Sequence, residues 1–324
     1  MPDSSSVAQQ ELTRTAGLAR DARKGLSRTQ KELDPKYFYD ERGSALFEEI
    51  TQLEEYYPTR TERSILVREI PRIVNRLAPR SVVELGAGSA AKTRVILDAM
   101  ARRGGGAYVP VDVSDEFLER TARELRKDYP SLMITAAVSD FTLELRIPPL
   151  PHPKLILFLG STIGNFDHPA AIRILRRIRE LMRSDDRLLL GADLRKDVAT
   201  IERAYNDESG VTADFNRNML LVLNRELGAG FDPSSFAHHA FYNREHHRIE
   251  MHLVSTRAQS VSAPDLGTIH FREGESIRTE LSYKYDRSLV ESLFAGSGLH
   301  LEDWMTDELS HFALALAKPT EPET

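Results

Sequence analysis

Val82-Val83-Glu84-Leu85-Gly86-Ala87-Gly88-Ser89 reads as a buried strand running directly into a glycine-rich turn. Gly86 and Gly88 can adopt backbone angles closed to other residues and carry no Cβ, so an adenosine-bearing ligand can lie against the main chain. Ala91 to Met100 reads as the helix that begins beside that ligand. Gly86, Gly88 and Ala91 also match the G-x-G-x-x-A spacing of a dinucleotide fingerprint, which keeps a nicotinamide enzyme in consideration. Tyr108-Val109-Pro110-Val111-Asp112 supplies a second strand ending in a carboxylate, and Asp112 can accept hydrogen bonds from the ribose hydroxyls of such a ligand.

Working outward, strands are expected at Ser81–Leu85, Ala107–Asp112, Leu132–Val138, Lys154–Leu159 and Arg187–Ala192. Helices such as Glu116–Lys127 and Ala170–Met182 separate them. This alternation predicts a parallel sheet with helices on both faces. Ligands of such sheets bind at the carboxyl edge, which here carries Gly86, Asp112, Asp140 and the run Gly160 to Asn165. Upstream, helical patterns dominate as far as Ala78. Thr59 and Glu62 match a capping box for a helix from Arg60 toward Leu77, and Pro71 should kink or break that helix.

After Lys196 the rhythm changes. A helical segment holds Ala204-Tyr205-Asn206-Asp207, and Val211 to Leu227 follows. Strands are expected at Arg248–Ser255, Thr268–Phe271 and Ile277–Tyr285, then a helix at Arg287–Ser297. Leu299–Thr306 and Ser310–Ala317 read as strands returning to the main sheet. The expected organisation is a nucleotide-binding domain of residues 61–196 and 287–324, an inserted α+β substrate domain of residues 197–286, and an N-terminal helical part, residues 1–60, belonging to the substrate domain. The active site is expected in the cleft between them.

The 324 residues are 41% hydrophobic, enough for a full core. Forty-three basic against 49 acidic residues give a net charge of −6, with no general attraction for nucleic acids or anionic membranes. No apolar run approaches the roughly 20 residues that cross a bilayer, and the polar start lacks a secretory segment, so a cytoplasmic, monomeric protein acting on a small molecule is expected. The absence of cysteine removes disulfides, thiolate metal sites and cysteine nucleophiles. The pairs His238-His239 and His246-His247 do not converge as metal ligands if they lie in strands, where neighbours point to opposite faces, so no metal is expected. Lys92 and Lys196 read as surface lysines of helices, and Trp304 as packing.

Glu84-x-Gly86-x-Gly88 resembles the first motif of S-adenosylmethionine-dependent methyltransferases, which implies a Rossmann-like methyltransferase sheet. Longer motifs narrow the resemblance. Tyr56-Tyr57-Pro58-Thr59-Arg60-Thr61-Glu62, Gly160-Ser161-Thr162-Ile163-Gly164-Asn165, Val211-Thr212-Ala213-Asp214-Phe215-Asn216-Arg217-Asn218 and Ile249-Glu250-Met251 resemble the histidine Nα-methyltransferases of ergothioneine biosynthesis. The likeness spans Lys36 to Ala317. It implies successive transfer of three methyl groups to the α-amino nitrogen of L-histidine, giving hercynine. It places cofactor contacts on Gly86, Lys92, Asp112, Asp140 and Phe141, beside Gly88 of the same turn. Substrate contacts fall on Tyr56, Asn165, Tyr205, Met251, Glu280 and Ser282. Asn165 and Tyr205, with Tyr56 nearby, hold the amino-acid end and act in catalysis, and Glu280 with Ser282 grips the imidazole. His252 and Tyr283 adjoin specificity positions. An N-methyltransferase acting on another amino acid or on a protein side chain is the alternative.

The residues support parts of this independently. Glu280 and Ser282 stand two apart in an expected strand and share a face. A carboxylate accepts from one imidazole N–H, and a hydroxyl serves the other nitrogen in either tautomer. By periodicity alone, however, Arg278, Glu280, Ser282 and Lys284 form the solvent-exposed face of that strand. Asn165 puts a neutral amide at the ligand edge, where it can orient an amine without stabilising the ammonium as a carboxylate would. Tyr56 and Tyr205 can donate phenolic hydrogen bonds to a carboxylate.

Overall fold

The computed structural model describes residues 4–320 except 89, 91 and 114, without the side chains of 4–14, 115 and 116. In chain order its main elements are α1 (Ser4–Leu26), β1 (Lys31–Glu32), α2 (Glu41–Gln52), α3 (Tyr57–Leu77), β2 (Ser81–Leu85), α4 (Arg94–Arg102), β3 (Gly106–Asp112), α5 (Asp115–Asp128), β4 (Leu132–Ile134), β5 (Ala137–Val138), β6 (Lys154–Phe158), α6 (His168–Glu180) and β7 (Arg187–Asp193). There follow α7 (Val198–Arg203), α8 (Val211–Leu227), β8 (Phe236–Asn243), β9 (Arg248–Ser255), β10 (Gln259–Ala263), β11 (Gly267–Phe271), β12 (Ser276–Tyr283), α9 (Arg287–Gly296), β13 (Leu299–Thr306) and β14 (Phe312–Pro319). They fall into two compact units. One comprises 1–56, 198–245 and 249–281, and the other 57–197, 246–248 and 282–324.

The second unit is a twisted α/β sheet in the order β13-β14-β7-β6-β2-β3-β4, with β5 also paired to β3. The pairs β7-β6, β6-β2, β2-β3 and β3-β4 are parallel, and β14 enters antiparallel between β7 and β13. Every residue of β2 and β6 is buried, as expected of central strands covered on both faces. Successive residues serve opposite layers. Val82 packs with α3, α4 and α5 residues such as Ile70, Leu97 and Leu125, while Val83 packs with Ile174 of α6 and Leu293 of α9. Trp304 packs at the margin of the second layer. Side chains cap the helices: Asp167 Oδ1 accepts from Ala170 N at the start of α6, and Asp286 Oδ1 from Leu289 N at the start of α9, both at 2.8 Å.

The first unit holds a four-stranded sheet, β1-β12-β9-β8, and a hairpin, β10-β11. Helix α2 starts at Asp40, whose carboxylate accepts from Gly43 N at 2.7 Å. Phe38, Tyr39, Phe47 and Phe215 form an aromatic cluster, with Phe38 stacked on Phe215 at 4.5 Å. No helix among the described residues is long and apolar enough to cross a membrane.

Several local expectations are corrected. Helix α3 begins at Tyr57, not Arg60, so Thr59 lies inside its first turn. Glu62 cannot reach back to complete a capping box, because its fully buried carboxylate turns inward to accept from Gly160 N at 2.8 Å. The helix also continues through Pro71 to Leu77. The carbonyl that Pro71 leaves without a donor belongs to Val67, on the exposed side of the helix. The expected strand Leu132–Val138 is two short strands. Helix α4 starts at Arg94, and Ala91, the last member of the G-x-G-x-x-A match, lies outside the described residues. Strands β8 and β10 were not anticipated.

Candidate active site

In the second unit, β2 delivers the chain into a turn in which Gly86 (φ 67°) and Gly88 (φ 50°) both have left-handed backbone. A Cβ on Gly88 would meet nothing within 4 Å, so backbone sign, not crowding, demands glycine, and the space over the turn is open. Asp112, at the carboxyl end of β3, accepts from Gly88 N at 3.2 Å and from Val113 N at 2.8 Å. The turn, its open face and an anchored carboxylate at the end of the second strand fit an adenosine ligand. Glu84 builds this arrangement from beneath. Its buried carboxylate accepts from Thr93 Oγ1 and Tyr108 Oη, both at 2.5 Å, tying the approach to α4 to β3. Burial pushes its pKa up to about 7, against the lowering effect of those two hydrogen bonds.

Asp140 and Phe141 follow β5. Asp140 Oδ1 accepts from Thr142 N at 2.9 Å, and the Phe141 ring meets Phe158 and Phe166 edge to face at 5.4 and 6.3 Å. Lys92 is not a free surface lysine. Its Nζ donates to buried Glu62 at 2.5 Å, and Glu62 in turn holds Gly160 N.

The loop from Gly160 to Asn165 is pinned from several directions. Ser161 takes a left-handed φ of 56°, unusual for a residue with a Cβ, and its Oγ accepts from Asp193 N at 2.9 Å. Tyr285 Oη donates to Ile163 O at 3.1 Å. Gly164 lies so close to the end of β12 that a Cβ there would stand 2.9 Å from Tyr283 O. This brings the loop bearing Asn165 to the backbone next to Ser282. Asn165 is half-buried, and among the described residues its side-chain amide has no hydrogen-bond partner.

Beneath this loop lies a charged network that sequence reasoning missed. Asp193, at the end of β7, is buried and accepts from Tyr57 Oη at 2.9 Å, from Lys196 Nζ and from Lys284 Nζ at 2.8 Å. Lys196 also donates to Tyr57 Oη at 2.6 Å. Lys284 donates to Ser282 Oγ at 2.8 Å. Burial opposes ionisation of Asp193, but the two ammonium groups hold its carboxyl below the usual range. Burial pushes Lys196 down to about 8, against the attraction of Asp193. The expectation that Lys196 is a surface lysine is therefore overturned, as is the solvent-exposed reading of the Arg278–Lys284 face. Ser282 is 4% and Lys284 1% exposed. The available signal was the position of Asp193 at the carboxyl end of a strand, the edge where ligands gather.

In the first unit, Tyr56 and Tyr205 meet edge to face at 6.3 Å, and Phe47 flanks Tyr56 at 6.2 Å. Tyr205 is buried, and its carbonyl bonds His238 Nε2 at 2.8 Å. Asn216 fixes that histidine. Asn216 Oδ1 accepts from Thr279 Oγ1 at 2.6 Å and its Nδ2 donates to His252 O at 3.1 Å, so the same amino group must donate to His238 Nδ1 at 2.9 Å. His238 Nε2 then carries the proton. Buried Met251 sits on β9, and its carbonyl oxygen lies 3.2 Å from Thr279 Oγ1, beside half-buried Glu280 of β12. His252, also on β9, bonds Ser276 Oγ and Glu250. His246 and His247 lie in the turn between β8 and β9, not in a strand. Elsewhere, His152, Asp185 and Asp186 bring ligand atoms together, but Asp186 already accepts from the backbone of Lys154 and Arg183.

Residues 18–319 match the family model described as histidine-specific methyltransferase, SAM-dependent. The chain is 44% identical to the histidine N-alpha-methyltransferase of Mycobacterium tuberculosis over 93% of this chain and 94% of that protein. It is 42% identical to the enzyme of the same name from Mycolicibacterium smegmatis, over 93% and 94%. A Schizosaccharomyces pombe protein named ergothioneine biosynthesis protein 1 is 31% identical over 66% of this chain and 29% of its own length. The glycine turn and the carboxylate at the end of β3 lie within the matched residues, and the chain belongs to the histidine-specific, S-adenosylmethionine-dependent methyltransferases.

Proposed function

We propose that the protein transfers three methyl groups in succession from S-adenosylmethionine to the α-amino nitrogen of L-histidine, yielding hercynine for ergothioneine biosynthesis. The observation that carries this reading is the 44% identity, over nearly the whole of both chains, to a histidine N-alpha-methyltransferase. Bound S-adenosylmethionine supplies an electrophilic methyl group on a sulfonium. Gly86, Gly88, Asp112, Asp140 and Phe141 would hold it, with Lys92 acting beside them through Glu62.

The proposed histidine contacts are Tyr56, Asn165, Tyr205, Met251, Glu280 and Ser282. Attack on a methyl group needs the lone pair of an unprotonated amine. The Asn165 carbonyl accepts an amine N–H and aims that lone pair, and a neutral amide does this without holding the nitrogen as ammonium. Tyr56 and Tyr205 donate to the substrate carboxylate, Met251 contributes apolar wall, and Glu280 with Ser282 receives the imidazole. Positive charge passes from sulfur to nitrogen in the transfer, so positioning supplies most of the acceleration. A proton leaves the amine before each later transfer.

Incubation with L-histidine and S-adenosylmethionine, followed by mass spectrometry, should give mono-, di- and finally trimethylated histidine, with the added methyl groups on the α-nitrogen by fragmentation. A preparation that binds S-adenosylmethionine yet leaves histidine unmethylated while modifying another amino acid or a protein lysine would overturn the assignment.

A further inference from the structure

Glu62 is fully buried in α3, and its carboxylate ties that helix to two other parts of the second unit. Both of its oxygens accept from Gly160 N, at 2.8 and 3.0 Å, and Oε2 accepts from Lys92 Nζ at 2.5 Å. The carboxylate lies against Gly191 of β7, where a Cβ would stand 2.2 Å from Oε1, so glycine there leaves it room. Lys92 Nζ rests against Gly160, where a Cβ would stand 3.1 Å from it, and the lysine side chain is 23% exposed. The ion pair borders the glycine turn. A Cβ on Gly86 would lie 4.0 Å from Thr162 Cγ2 in the loop that begins at Gly160, and the charges of Lys92 and Glu62 both act on Glu84, in the strand that enters the turn. An ammonium has three N–H donors, and among the described residues Lys92 has one hydrogen-bond partner, Glu62. The remaining donors can serve the carboxylate in the amino-acid half of the cofactor.

S-adenosylmethionine carries a sulfonium. Transfer of its methyl group to the acceptor nitrogen leaves S-adenosylhomocysteine, an uncharged thioether. An ammonium at the cofactor site, taken alone, favours the spent form over the fresh one, because like charges repel. Resting on the reading that Lys92 borders the cofactor, we infer that Glu62 is a specificity-determining residue: it supplies the counter-charge of Lys92, so that the site keeps its ammonium and still takes the sulfonium form. Burial makes the counter-charge effective, since a carboxylate out of contact with solvent is weakly screened. Holding Gly160 N needs an acceptor but no charge, and a glutamine carbonyl would do it. The charge answers Lys92. With three transfers proposed for each histidine, every turnover exchanges thioether for sulfonium, and discrimination between the two limits inhibition by the product.

The test is calorimetry of S-adenosylmethionine and S-adenosylhomocysteine on the full-length protein without an acceptor, at about pH 8, with Glu84, whose pKa is about 7, mostly ionised. Glu62→Gln keeps the size and an acceptor for Gly160 N but removes the charge. It should lower the preference for the sulfonium form, read as the ratio of the two dissociation constants, by about tenfold, the order expected of one unit charge across ~10 Å of protein interior. Lys92→Met should move the same ratio severalfold in the opposite direction while weakening S-adenosylhomocysteine. A ratio unchanged in Glu62→Gln, whether or not both affinities fall, would show a purely structural role and overturn the inference. Should that variant not fold, Lys92→Met decides alone, and an unchanged or lowered ratio overturns it. Wild-type affinity for both ligands in both variants would remove Lys92 from the cofactor site, and the reading beneath the inference would fail with it.

Discussion

Replacing Glu84 with glutamine should flatten the pH dependence of folding stability by a calculable amount. The carboxyl is 4% exposed and its pKa is pushed up to about 7 from an ordinary 4.5, burial outweighing the hydrogen bonds from Thr93 and Tyr108. A raised folded-state pKa means that the native protein binds the proton more tightly than the unfolded chain does. The associated stability is therefore fully present below about pH 4.5 and is lost as pH rises through about 7. For one group with these two values, the loss between about pH 5 and pH 8 is about 2.5 kcal/mol, at 1.36 kcal/mol per pKa unit. Trp304, the single tryptophan, packs in the same unit and reports its unfolding by fluorescence. Urea denaturation followed at both pH values should show wild type losing about 2.5 kcal/mol more than Glu84→Gln between them. Parallel behaviour of the two proteins would show that Glu84 is ionised at no cost, and the account of how the glycine turn is held from beneath would fail.

Other consequences can be checked in the same way. Glu280→Ala removes the carboxylate proposed for the imidazole and should lower kcat/KM for histidine by about 10- to 100-fold, the worth of a hydrogen bond to a charged group, with S-adenosylmethionine affinity within about twofold; unchanged histidine kinetics would remove Glu280 from the site. Reaction with histidine should accelerate with pH toward an alkaline plateau, because an α-amino group titrates near pH 8 and only its unprotonated form attacks; a profile flat from about pH 6 to pH 9 would uncouple chemistry from amine deprotonation. His238→Phe deletes the hydrogen bond to the Tyr205 carbonyl, worth about 1 kcal/mol, and should raise the histidine KM severalfold with little change in S-adenosylmethionine binding. Equal effects on both ligands would identify a general folding defect. Gly164→Ala should impair activity more than stability, since the added Cβ would push the Asn165 loop away from the Tyr283 backbone.

How much of this was legible in the sequence follows from the range of the interactions involved. Strands β2, β6 and β7 announce themselves because a central parallel strand is apolar on both faces, and that pattern is local. The glycine turn is equally local, its requirement being a backbone sign at Gly86 and Gly88. Glu62 shows where locality misleads. Its spacing from Thr59 satisfies a capping box, yet its carboxylate serves Gly160, ninety-eight residues away, and a buried backbone N–H prevails over a helix end that α3 has already passed. The strand carrying Glu280 and Ser282 is the same case with higher stakes. Alternating polar residues ordinarily mean solvent, and nothing nearby in sequence says that Lys284 is buried. That depends on Asp193, at the end of another strand, being there to accept from it. A buried lysine is tolerated only with such a partner, and here Lys284 and Lys196 share one, the carboxylate of Asp193.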